Sequence, residues 1–189
     1  GLQRDALGAA VADLAVDRQR LHPFLVGFNP TDKNAAEQIE KLLRLYPGIW
    51  QGIGEILTRH DDLTALTQDE PARANSEAMH RIYRLAARHN LPVLLHSNIT
   101  SKRERNPLYL EELQEALSEH PKVKIIWAHA GTSKTLHRYQ GKMDFLLPTV
   151  KALLAEHDNL YIDLSWTVLQ PYLLDDKKQP DPQWLALVN

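Results

Sequence analysis

Short apolar runs and longer helical stretches alternate along this chain, and that alternation restricts its fold more than any other feature. Runs rich in Val, Ile, Leu and aromatic residues lie at 23–28, 49–56, 91–97, 123–130 and 159–165. Between them, residues 32–46, 74–89, 107–119 and 143–157 carry apolar side chains at helical spacing; 3–20 form another such stretch, and a sixth starts near Pro182. Strands separated by helices require parallel crossovers and therefore an α/β fold. The strand runs are apolar on both alternating faces, as a sheet needs when helices cover one side and the other packs inside.

A polar residue stands near the C-terminal end of each of the last four runs. These are Glu55, His96, His129 and Asp163, spaced 41, 33 and 34 residues apart. In a parallel barrel that end of the strands is the mouth, where chemistry is placed. A doubly wound open sheet also carries its site at strand C-termini, but no run here is followed by a glycine-rich phosphate loop. The reading is a (β/α)8 TIM barrel in a single domain spanning 1–189. It is incomplete, because 189 residues fall short of the roughly 250 of a whole barrel. Five strands leave open edges at 24–28 and 161–164, with Leu94, Ile125 and Trp127 on an uncovered interior. Unpaired edges template association, so a homo-oligomer is expected.

Composition narrows the chemistry. Without cysteine there are no disulfides, thiolate sites or thiol nucleophiles, so any metal must be held by His, Asp or Glu. A net charge of −2 gives no field to recruit nucleic acid or an anionic membrane. No apolar run reaches the roughly 18 residues of a membrane span, and the N-terminal stretch is amphipathic rather than signal-like. The expected compartment is the cytoplasm, with the periplasm still open to a chain preceded by further residues.

The nine histidines sort by position. His22, His89, His120 and His157 each end a helical stretch just before a strand, where a positive imidazole suits the helix dipole. His80, mid-helix, is expected to be solvated or partly packed. His96 and His129 end buried strands, and alternation puts His96 on the face of Leu94 and His129 on that of Ile125 and Trp127. Both should point into the mouth. With Glu55 one repeat earlier, they form an imidazole pair plus carboxylate that suits Zn²⁺, Mn²⁺ or Fe²⁺. A buried Glu55 bonded to a neighbouring histidine without metal is the other reading. Asp163 is also inward, either orienting a ligand, touching substrate or making a structural hydrogen bond.

GIGEI at 52–56, PVLLHSN at 92–98 and WAHAG at 127–131, followed by NLYIDLS, resemble strands four to seven of an amidohydrolase-superfamily barrel, with 23–30 as strand three. The nearest flavour is the amidohydrolase-related group of hydrolases and nonoxidative decarboxylases; TatD-type nucleases share the glutamate-then-two-histidines order but match less well. The resemblance implies a divalent metal at the mouth, zinc first. His96 would be the strand-five ligand, His129 a second ligand or the catalytic partner of the metal's water, and Glu55 the strand-four carboxylate. It also implies a metal-activated water attacking a small-molecule substrate. The family's strand-one His-any-His pair is absent here, and its strand-eight aspartate would lie beyond Asn189. On that ground a fragment is expected, self-associating and without appreciable hydrolysis of its own.

Two mouth loops are net positive. The one after His96 carries Lys102, Arg103 and Arg105, and the one after His129 carries Lys134, His137, Arg138 and Lys142. This suits a carboxylate- or phosphate-bearing substrate, with Lys102, Arg103 and Arg105 as its binding residues; plain solvated loop surface is the alternative. The loop at 57–72 is long enough to act as a lid. The function that follows is a metal-dependent hydrolase, with a nonoxidative decarboxylase on the same scaffold or an inactive barrel fragment as alternatives. A metal-free aldolase or isomerase would need an inward lysine at a strand end, and these strands offer none.

Overall fold

The computed structural model describes residues 21–60, 71–175 and 177–187. The expected helix at 3–20 and most of the lid segment lie outside them. Five strands pair in chain order and all in parallel: β1 (Phe24–Leu25), β2 (Gly52–Thr58), β3 (Val93–Ser97), β4 (Ile125–Trp127) and β5 (Leu160–Ile162). Helices fill the crossovers: α1 (Ala35–Leu45), α2 (Glu77–His89), α3 (Leu110–Glu119), then α4 (Lys134–Gln140) with α5 (Leu146–Glu156). Two short helices, α6 (Gln170–Leu173) and α7 (Pro182–Leu185), follow β5. This is the expected arrangement of a parallel α/β barrel, with β1 and β5 as its edges among the described residues.

The helices form where the sequence supplies a buried stripe and a stop. In α2, Ala78, Met79, Ile82, Tyr83, Leu85 and Ala86 recur at helical spacing and are buried. Ser76 Oγ accepts from the Met79 N–H at 3.3 Å to start the helix. Asn90, at φ 51°, ends it in the left-handed conformation that asparagine tolerates. Helix α4 was not anticipated, because its segment is mostly polar and buries only Leu136 and Gln140. Ser133 Oγ nonetheless caps it through the Leu136 N–H.

The strands are shorter than the apolar runs, since only paired residues count. Along β3 and β4, Leu94 and Ile126 are half-buried, while Val93, Leu95, Ile125 and Trp127 are buried. Expected exposure of Ile125 and Trp127 is therefore corrected: both belong to the core packed with helix residues such as Leu113, Leu117 and Val150. Leu94 alone of the three is partly open. No helix among the described residues is long and apolar enough to cross a membrane.

Candidate metal centre

Glu55 owes its position to an irregularity in β2. Ile53 pairs with Val93 and Ile56 with Leu95, so β2 spends one more residue than β3 across this stretch. Such a bulge re-aims a side chain, here toward the strand ends. Gly54 permits it: its φ is +130°, and a Cβ there would lie 2.2 Å from the Leu94 carbonyl oxygen.

His96 comes from β3 itself and is almost wholly buried. Thr58 Oγ1 donates to the His96 carbonyl at 3.0 Å and ties the ends of β2 and β3 together. His129 is placed differently from the expectation. Strand β4 stops at Trp127, and Ala128–Gly131 form a 3₁₀ turn in which His129 (φ 53°) and Ala130 (φ 49°) are left-handed. Strand alternation therefore does not set its direction; the turn carries it to the mouth while Trp127 goes into the core. Trp127 Nε1–H donates to the Ser97 carbonyl at 2.8 Å, and Gly131, where a Cβ would sit 2.1 Å from the indole, closes over that ring.

These three elements converge on one carboxylate oxygen. Glu55 Oε1 lies 2.9 Å from His96 Nδ1 and 3.6 Å from His129 Nε2. The far nitrogens are engaged as well. His96 Nε2 lies 3.2 Å from Asn98 Oδ1. His129 Nδ1 lies 3.0 Å from the Ser165 carbonyl and 3.1 Å from Asp163 Oδ2. Asp163 in turn accepts from the Ser165 backbone N–H at 2.9 Å and its hydroxyl at 2.8 Å. Asp163 thus orients His129. Hydrogen bonds from His129 and then His96 hold Glu55 down at about 2, overcoming the opposing effect of burial. Burial works against charge on His129, but Glu55, the Ser165 carbonyl and Asp163 together raise it above its ordinary value.

The donor set fits a divalent cation. One ligand atom from each of Glu55, His96 and His129 lies within 4.8 Å of the others, and two imidazoles with a carboxylate suit zinc-class metals. The outer partners fit too: Nε2–H of His96 can donate to Asn98 and Nδ1–H of His129 to Ser165, leaving Nδ1 and Nε2 respectively for the ion.

Lys102, Arg103 and Arg105 are exposed on the β3–α3 loop. Lys102 Nζ rests 5.7 Å from the Tyr139 ring centroid, and among the described residues no contact joins the three to Glu55, His96 or His129. That loop is anchored from α4, where Gln140 Nε2 donates to the Glu104 carbonyl at 2.7 Å and also to that of Ser101.

Sequence reasoning overlooked Asn98, Ser165, Trp166 and His60. The His60 ring lies 4.4 Å from that of His96, and Trp166 meets His129 edge-on at 5.0 Å. Proximity in sequence to Glu55, His96 and Asp163 was the available signal.

A sequence family described as amidohydrolase matches residues 2–186. No curated protein matches the chain. An uncharacterised TIM-barrel protein from Bordetella bronchiseptica is similar in structure, with a TM-score of 0.54 at 16% identity. The match covers 85% of this chain and 48% of the other, so the chain spans about half the length of that barrel.

Proposed function

Because the chain belongs to the amidohydrolase family, we propose that it supplies the metal-holding part of a hydrolase in which Glu55, His96 and His129 bind a divalent cation, zinc first, with manganese or iron as alternatives. The single observation that carries this reading is the shared Glu55 Oε1 between two imidazoles whose far nitrogens are already engaged. When bound, such a cation lowers the pKa of water and polarises a substrate's carbonyl or phosphoryl oxygen.

The chain's own residues supply the rest. Asn98 and Asp163 hold the two rings in orientation. His129, its Nδ1 held by the Ser165 carbonyl and Asp163, presents Nε2 to the ion. In the alternative arrangement, where it partners the water and does not ligate, that Nε2 can take the water's proton and return it to a leaving group. Lys102, Arg103 and Arg105 would draw a small substrate bearing a carboxylate or phosphate toward the mouth.

The test is metal content and turnover of small esters, amides and lactones by the metal-loaded protein, extended to barrel length where the chain alone is inactive. Glu55→Gln, His96→Gln and His129→Gln should each lower zinc occupancy and reduce hydrolysis at least a hundredfold. Full hydrolysis without metal would overturn the reading. Release of carbon dioxide from a carboxylic acid substrate, without hydrolysis, would replace it with a decarboxylase.

A further inference from the structure

A second group of donor atoms lies in the helix layer. His80, expected to be solvated or partly packed, is buried in α2, and its Nδ1 lies 2.8 Å from Nε2 of His120. Glu119 Oε2 is 3.5 Å from the same Nδ1. Glu119 is the last residue of α3, and His120 caps that helix at φ −124°, ψ 56°. Tyr83 walls the group. Its ring is 5.0 Å from that of His120, and its hydroxyl donates to the Ala74 carbonyl at 3.0 Å, which fixes it.

Two observations favour a cation here over a self-contained histidine pair. Zinc bonds of 2.0–2.1 Å at tetrahedral angles place neighbouring donors about 3.3 Å apart. The shorter separation, 2.8 Å, is also that of an imidazole–imidazole hydrogen bond, but a histidine pair alone does not call for the third donor, Glu119 Oε2 at 3.5 Å, and one ligand atom from each of the three lies within 4.8 Å of the others. The second observation is electrostatic. The last turn of α3 has no basic residue to meet its partial negative charge. His120, expected from sequence to meet that charge, is turned instead toward α2, with its Nε2 2.8 Å from His80 Nδ1. The nearby cations Arg81 and Arg84 are already drawn to Glu77, at 2.9 and 3.4 Å.

We propose that His80, Glu119 and His120 form a second, structural site for a divalent cation of the zinc class that ties α2 to α3. Imidazole nitrogens favour zinc, nickel and copper over magnesium or calcium. Water completes the coordination, and loading widens the His80–His120 separation by about half an ångström.

Titration of zinc chloride into the metal-stripped chain, with bound zinc counted after desalting, tests this. The unaltered chain should bind two zinc ions and His120→Gln one. The double variant His96→Gln/His129→Gln should bind one, and adding His120→Gln should abolish it. Glu119→Gln should weaken the second site about tenfold. Glu119 and His120 sit at an accessible helix end, so circular dichroism of their variants should be unchanged. Zinc should also raise the melting temperature of the double variant, and His120→Gln should remove that rise. Unchanged zinc stoichiometry in His120→Gln, or none bound by a folded double variant, overturns the proposal.

Discussion

Replacing Gly54 with alanine perturbs the mouth without touching a ligand. The new Cβ would start 2.2 Å from the Leu94 carbonyl oxygen, a backbone atom that cannot rotate away. β2 must then retreat from β3 by about 1 Å, and such overpacking costs about 1–3 kcal/mol. Alanine at φ +130° adds conformational strain of about 1–3 kcal/mol. The total, about 2–6 kcal/mol, is a large share of the 5–15 kcal/mol that about holds a domain of this size together. With a urea slope of about 2 kcal/mol/M, the unfolding midpoint should fall by about 1–3 M. Glu55, the next residue, moves with the strand, so zinc affinity at the mouth should fall at least tenfold. Gly48→Ala is the control: Gly48 also has positive φ, at +75°, but nothing lies within 4 Å of a Cβ there. It should lose only the strain and keep its zinc. A Gly54→Ala protein that melts with Gly48→Ala and binds zinc normally would refute the close approach and the account of the bulge.

Four further outcomes are expected. In the metal-free chain, Glu55, held at about 2, contributes stability above pH 4.5 that is lost as pH falls toward 2. His129, raised above 6.5, contributes stability below pH 6.5 that is lost as pH climbs through its folded value. Melting temperature should therefore plateau between these limits, and Glu55→Gln should flatten both shoulders; an unaltered profile counts against the pairing. Asn98→Leu removes the acceptor facing His96 Nε2 and should weaken zinc binding about 10–100-fold by calorimetry. Alanine at Lys102, Arg103 and Arg105 together should weaken inhibition by phosphate severalfold with little change in zinc affinity, and an unchanged inhibition constant would assign them to plain surface. With Val26 48% and Tyr161 47% exposed on the two edge segments, the chain should self-associate in sedimentation experiments, and a monodisperse monomer would argue against it.

Strand order was legible because apolar runs and helical spacing recur with one period, and parallel pairing follows from crossovers. The ends were not, since the segment at 23–28 pairs only through Phe24 and Leu25. Glu55, His96 and His129 could be picked out by residue type and repeat position. Their geometry could not, because the bulge in β2 depends on the register of β3, and the left-handed turn at His129 replaces the alternation expected there. Asn98 and Ser165 escaped notice because small polar residues at strand ends are common, and their roles exist only through contacts across the fold. His80 and His120, 40 residues apart, join only when α2 packs beside α3.

Trp166 gives the mouth an optical handle. Trp50, Trp127 and Trp184 are all buried, whereas Trp166 is 44% exposed and meets the His129 ring edge-on at 5.0 Å. Its emission should lie to the red of the other three, and a protonated imidazole at that distance quenches an indole by accepting an electron from its excited state. Red-edge fluorescence thus follows the charge on His129 directly, brightening when that ring gives up its proton, so the occupancy of the site can be followed in real time without a label.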